Sequence, residues 1–181
     1  MRKSVTRDGT WRFGAASVDI TPTTPQFMIG YSRPDRSDGV YHPLYAKSLY
    51  MTDGKTEAAV IAADLCIFPA HVVTRFRRAI SGASGIAAGN VVLSATHTHT
   101  GPRIADPVPL DPGVTADPAY VAFLEKSFAG AVRTAKLRAQ PGRVEFSRVR
   151  SRLGVNRRQL RDGKAVMLPN PEGAHDRAVD T

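Results

Sequence analysis

Between residues 57 and 95 an apolar run, an amphipathic segment and a second apolar run succeed one another, and this succession restricts the fold more than any other feature. Glu57 to Cys66 is nearly all apolar, interrupted only by Asp64 near its carboxyl end. Such a run reads as a strand covered on both faces. From Pro69 to Ser81, Val72, Val73, Phe76 and Ile80 recur at helical spacing, with Arg75, Arg77 and Arg78 facing away. Pro69 suits a first helical turn. Gly82, Gly85 and Gly89 then punctuate a return to Val91-Val92-Leu93, which reads as a buried strand. Strand, helix, strand implies a right-handed crossover between parallel strands. The expected class is therefore α/β, a mixed sheet with a hairpin and one such crossover, and helices packed on the sheet.

The flanking segments extend this plan. Trp11 to Ile20 is a strand candidate that stops at Thr21-Pro22, where proline enforces an extended or turning path. Gln26 to Asp38, with Gly30 and Pro34, reads as a surface loop or as one of the loops that line a pocket. Leu44 to Thr52 and Glu57 to Cys66 flank Asp53-Gly54, a strong hairpin signal. Residues 104–116 read as an irregular, proline-rich loop. Asp117-Pro118 then starts a helix, as N-cap and first helical residue. That helix runs to about Arg138, burying a stripe of Val121, Leu124, Phe128, Ala131, Val132 and Ala135. Arg143 to Val155 is expected to return as a strand. Gln159 to Thr181 is polar and without apolar periodicity. By length, 1–181 is expected to form a single domain.

The second strand of the crossover runs straight into His97-Thr98-His99 and stops at Gly101-Pro102. On a strand, side chains two apart share a face. Two imidazoles are then presented side by side where open α/β sheets place ligands, as zinc ligands or as a merely hydrogen-bonded strand end. Gly101 and Pro102 exclude a metallo-β-lactamase-like zinc site, whose pattern needs Asp-His at those two places. An amidohydrolase barrel is excluded as well, since it would carry its histidine pair on the first strand. Asp64, at the same edge, reads either as a cap or as a group facing the site. His71 reads as a surface residue.

The single cysteine, Cys66, excludes an internal disulfide and cysteine-rich zinc fingers, and reads as a buried thiol. No apolar run is long enough to cross a bilayer, and no signal peptide is recognisable, so a soluble, cytoplasmic chain is expected. The whole net charge of +9 falls between Arg133 and Lys164. This block reads as a solvated face, or as a surface meeting an anionic membrane or nucleic acid. No RNA-binding, zinc-finger or helix-turn-helix pattern accompanies it.

With these residues placed, the chain resembles the N-terminal part of the neutral/alkaline, non-lysosomal ceramidase family. Gly14 to Pro22 resembles that family's opening G-A-x-x-x-D-I-T-P. His42 to Leu49, closing on Asp53-Gly54, resembles its first hairpin, and Ala63-Asp64-Leu65 its next strand-helix unit. Asn90 to Pro102 resembles N-V-x-x-x-A-T-H-T-H-S-G-P, with Thr100 in place of serine. Asn156-Arg157 resembles N-R-S, with Arg158 in place of serine. Asn170-Pro171-Glu172 and Asp176 to Asp180 resemble N-P-x-E and D-x-x-V-D.

The resemblance implies a zinc-dependent amidase that hydrolyses the N-acyl bond of ceramide to a sphingoid base and a fatty acid. By motif, it makes His97 a zinc ligand, His99 the neighbouring imidazole that contacts substrate or the attacking water, and Arg157 an active-site arginine. It also implies that further ligands, a second histidine and later glutamate and tyrosine residues, lie beyond position 181, so these residues supply part of a site. The expected partner is ceramide or a related N-acyl lipid, with an anionic membrane surface as a second; the oligomeric state is not read from sequence. The alternative is a truncated, non-catalytic basic module.

Overall fold

The computed structural model describes residues 11–31, 35–106 and 113–181. What the sequence suggested for 1–10, 32–34 and 107–112 lies outside them. The chain divides into two compact units, residues 11–142 and Arg143–Thr181.

The larger unit is built on a five-stranded sheet. Its strands are β1 (Arg12–Asp19), β2 (Tyr45–Thr52), β3 (Glu57–Ala63), β4 (Val91–Ala95) and the short β5 (Gln140–Pro141), in the order β4-β3-β2-β1-β5. β2 and β3 form the expected hairpin, with Asp53 Oδ1 accepting from the amides of Lys55 and Thr56. β3 and β4 are parallel, Ala59 opposite Val91 and Ala63 opposite Ala95. Between them runs α1 (Ala70–Ser84). It starts one residue later and ends three later than the spacing suggested, because Pro69 is extended as N-cap and Gly85, at φ 76°, closes the last turn on the Ser81 carbonyl. Arg77 does not face away: its Nε donates to the Val91 carbonyl at 2.7 Å and ties α1 to β4.

α2 (Pro118–Leu137) begins at Asp117, whose carboxylate accepts from the Ala119 amide, and it buries the whole expected stripe. It seats on β1 so closely that a Cβ on Gly14 would overlap the Ala135 carbonyl. Phe76 of α1 and Phe128 of α2 meet edge to face at 5.2 Å between centroids, with Phe68 completing the cluster. These aromatic contacts add to the burial of the aliphatic side chains that make up most of the core.

The expected burial of β3 is also corrected. β3 is covered on one face only: Ala59, Ile61 and Ala63 are fully buried against the helices, while Ala62 is exposed. The row opposite the helices, Ala15, Leu49, Val60 and Val92 in register, leaves Leu49 39% and Val92 49% exposed.

The smaller unit holds two short pairs, β6 (Arg148–Arg150) with β9 (Ala178–Asp180) and the hairpin β7 (Gln159–Arg161) with β8 (Lys164–Val166). The strand expected over Arg143 to Val155 is thus three residues long. Asp162 and Gly163, both at positive φ, make the hairpin turn that the absence of apolar periodicity concealed. Among the described residues no helix is long and apolar enough to cross a membrane.

Candidate metal centre

The parallel pairing of β3 and β4 brings their carboxyl ends to one edge, and the pairing continues irregularly past both strands. The Thr96 amide donates to the Ala63 carbonyl and the His97 amide to the Leu65 carbonyl, each at 3.0 Å. The loop after β3 therefore runs beside the loop after β4. That is how Cys66 and His97, remote in sequence, come together.

His97 and His99 do lie side by side, but strand alternation is not the cause. β4 ends at Ala95, and His97 has φ 67°. This left-handed residue turns the chain, and the Thr98 hydroxyl then accepts from the Thr100 amide at 3.2 Å. The two imidazoles meet edge to face, 4.9 Å between centroids, with Nε2 atoms 3.3 Å apart. Tetrahedral zinc with Zn–N near 2.0–2.1 Å sets its nitrogens about 3.3–3.4 Å apart, so the pair fits the group.

His97 Nδ1 lies 2.8 Å from the Cys66 carbonyl. A carbonyl can only accept, so Nδ1 carries the proton and Nε2 presents its lone pair. Metal-ligating histidines are commonly fixed this way. The Cys66 thiol is buried, which holds it above its ordinary range, and its Sγ is 3.8 Å from His97 Nδ1. Sγ and one nitrogen of each imidazole all lie within 4.8 Å of one another. Sequence reasoning missed Cys66 because it treated the thiol only as an apolar side chain.

The loop that could line a pocket does so, through contacts of Gly30 and Tyr31 that the sequence did not single out. Met28 bridges to Pro102, and the Ile29 amide donates to the Gly101 carbonyl at 3.1 Å, so the 27–30 segment lies along the site. Gly30, at φ 110°, packs against His99 so tightly that a Cβ there would come 2.5 Å from its Cγ. Tyr31 meets the His99 ring edge to face at 5.1 Å. Gly30 was legible only as part of a loop.

Asp64 acts as a clasp: its Oδ2 accepts from the Tyr45 amide at 2.9 Å. The Asp19-Ile20-Thr21-Pro22 stretch is a knot at the same edge. Asp19 accepts from the Thr21 amide, Thr21 Oγ1 from the Leu44 amide, and the Ile20 carbonyl from the buried Tyr120 hydroxyl. Beside this knot opens a cleft of about 600 Å³, walled by Met28, Val40, Tyr41, Leu44 and Pro102 and reaching Thr98 and Thr100. His71, in the first turn of α1, is exposed as expected.

Arg157 belongs to the smaller unit and is exposed. Its neighbour Asn156 bridges Asn170, whose amide donates to the Asn156 carbonyl at 2.7 Å. The Asn156-Arg157 and Asn170-Pro171-Glu172 stretches are therefore joined.

No protein-family model matches the chain. Among curated proteins it is similar to neutral ceramidase B of Dictyostelium discoideum, 30% identical over 101 residues, which cover 52% of this chain and 14% of that protein. Among solved structures it is similar in fold to the neutral ceramidase of Pseudomonas aeruginosa, with a TM-score of 0.70 and 22% identity. A ceramidase complexed with C2 gives the same TM-score at 23% identity. Each alignment covers 80% of this chain and 24% of the solved one. The expected resemblance to the neutral ceramidases thus holds in sequence over half the chain and in fold over most of it. So does the α/β class. The chain spans about a seventh of the length of the curated relative and about a quarter of the solved ones.

Proposed function

We propose that this chain is part of a zinc-dependent amidohydrolase of the neutral ceramidase type, hydrolysing the N-acyl bond of ceramide or a related lipid amide. The observation that carries the reading is the pair of Nε2 atoms 3.3 Å apart, with the His97 ring oriented by the Cys66 carbonyl. The curated similarity to a neutral ceramidase supports the reaction class.

His97 would hold the metal through Nε2. Zinc, when bound, makes water a nucleophile near neutral pH and polarises the amide carbonyl. His99, whose Nε2 lies 3.3 Å from that of His97, would contact the substrate or the attacking water and pass its proton on. Arg157 is proposed, by motif, to hold the substrate's oxygen atoms. The cleft of about 600 Å³ offers apolar walls to a lipid chain.

A second partner is supported by the smaller unit, where Arg150, Arg152, Arg157, Arg158 and Arg161 are exposed. We propose that this basic surface meets anionic membrane, with affinity that falls as salt rises. Affinity for anionic vesicles that stays constant from low to high salt would overturn this.

The test of the main reading uses the protein expressed from its complete native reading frame. It should contain zinc and hydrolyse a short-chain ceramide, and His97→Ala should abolish both. Full zinc occupancy in His97→Ala would remove the ligand assignment.

A further inference from the structure

We propose that Tyr31 is a positioning residue for the reaction, its ring fixing the plane of the His99 imidazole so that Nε2 faces the reacting atoms. The inference rests on the amidase reading of His97 and His99 and deepens it by naming what holds the second imidazole.

The two histidines are held in different ways. His97 is oriented by a hydrogen bond, its Nδ1 donating to the Cys66 carbonyl at 2.8 Å. His99 is oriented by rings. The last torsion of a histidine side chain is broad and roughly two-fold, so the residue's own bonding leaves its ring plane open and neighbours must settle it. Tyr31 meets the His99 ring at 5.1 Å between centroids and 75° between planes. His97 meets the same ring at 4.9 Å and 77°. Both are edge-to-face arrangements, which the ring quadrupoles favour. Gly30 closes the space behind: a Cβ there would come 2.5 Å from His99 Cγ and 2.6 Å from its Cβ. With its plane set in this way, the ring presents Nε2 3.3 Å from that of His97.

Backbone pairing delivers Tyr31 to this place. The Ile29 amide donates to the Gly101 carbonyl at 3.1 Å, and the Arg103 amide to the Phe27 carbonyl at 2.8 Å. Met28 bridges Pro102 between them. The strip that ends in Tyr31 is therefore anchored to the stretch of chain that directly follows His99. Tyr31 itself is 57% exposed, so truncating it leaves the core intact while removing one of the two rings against His99. A misplacement of about 1 Å at a reacting group costs about a hundredfold in rate.

The experiment uses the protein expressed from its complete native reading frame. It measures hydrolysis of a short-chain ceramide, zinc content, and the rate at which diethyl pyrocarbonate modifies His99. Peptide mass spectrometry reads the modification, with the exposed His71 as internal standard. Tyr31→Ala should lower kcat by about tenfold or more, with KM within about threefold of the parent and zinc retained. His99 should be modified several-fold faster in that variant and His71 at the parent rate. Tyr31→Phe keeps the ring and should restore both turnover and the slow modification of His99. Tyr31→Leu keeps bulk without a ring and should behave as Tyr31→Ala does. Parent kcat in Tyr31→Ala or Tyr31→Leu, or an unchanged rate of His99 modification in Tyr31→Ala, would overturn the positioning role. Loss of zinc together with turnover in Tyr31→Ala would overturn it as well, by making the ring a support of the metal rather than of His99. A parent protein without zinc or turnover is a different failure: it would remove the amidase reading, and the role of Tyr31 with it.

Discussion

His97 gives its Nδ1 proton to the carbonyl of Cys66, 2.8 Å away and 31 residues earlier in the chain. The bond exists because His97 leaves the strand with φ 67°, a conformation that costs a non-glycine residue about 1–2 kcal/mol. Asparagine tolerates this region better than alanine does. His97→Asn should therefore keep stability within about 0.5 kcal/mol of the parent, whereas His97→Ala should lose about 1 kcal/mol more. Both should lose the metal. Urea unfolding and metal analysis of the two variants separate the backbone strain from the chemistry it serves. Equal stabilities would mean that the left-handed turn carries no strain worth counting.

Gly30 tests the other imidazole. With φ 110° and no room for a Cβ against His99, Gly30→Ala must either shift the 27–30 segment or push the ring away. The expected stability cost is about 1–3 kcal/mol. Turnover of the enzyme expressed from its complete reading frame should fall well beyond what that loss explains, because a displaced His99 no longer reaches the substrate or the attacking water. Amide hydrolysis measured alongside zinc content checks this; unchanged turnover would show that His99 adapts freely.

The helices and the hairpin were legible because each is announced locally. Asp117-Pro118 caps α2, the stripe from Val121 to Ala135 fixes its buried face, and Asp53-Gly54 turns between two apolar runs. The pairing of His97 with His99 was legible as an outcome but not as a cause, since a positive φ at a histidine leaves no mark in the sequence. Cys66 and Gly30 were illegible as site residues for a related reason. Their roles come from tertiary neighbours 31 and 69 positions away along the chain, and neither spacing repeats a motif. In the smaller unit the reading failed differently. Asp162-Gly163 was a hairpin signal in plain view, overlooked because the strands around it, Gln159–Arg161 and Lys164–Val166, are short and polar.

The two faces of the sheet should respond differently to substitution. Ile61 is fully buried between sheet and helices, so Ile61→Ala should cost about 2–5 kcal/mol. Val92, on the opposite face, is 49% exposed, and Val92→Thr keeps the β-branch. Its cost should stay within about 0.5 kcal/mol. Denaturant unfolding of both variants checks the asymmetry. A large loss at Val92 would mean that the open face is covered in solution.

At the far end of the sheet from the histidines, Glu57 is gripped from two sides. Lys136 Nζ lies 2.8 Å from Oε1 and 2.9 Å from Oε2, and the Tyr50 hydroxyl donates to Oε1 at 2.6 Å. The Lys136 bond, and then the Tyr50 bond, hold the Glu57 carboxyl below its ordinary range. Burial, reinforced by that same carboxylate, pushes the Tyr50 phenol up to about 12. The signs are opposite. A depressed carboxyl stabilises the fold above its unfolded value, about 4.3, and the contribution is lost as pH falls through the folded value. A raised phenol stabilises the fold below its unfolded value, about 10, and the contribution is lost as pH rises toward about 12. Glu57→Gln should therefore cost about 1 kcal/mol at pH 7, and the difference from the parent should shrink below about pH 4. Tyr50→Phe should flatten the loss of stability in the alkaline arm, and Lys136→Met should remove most of the acid arm while leaving Glu57 in place. Urea midpoints for the parent and the three variants across both arms measure this. An acid arm that survives Lys136→Met unchanged would place the depression on some other partner.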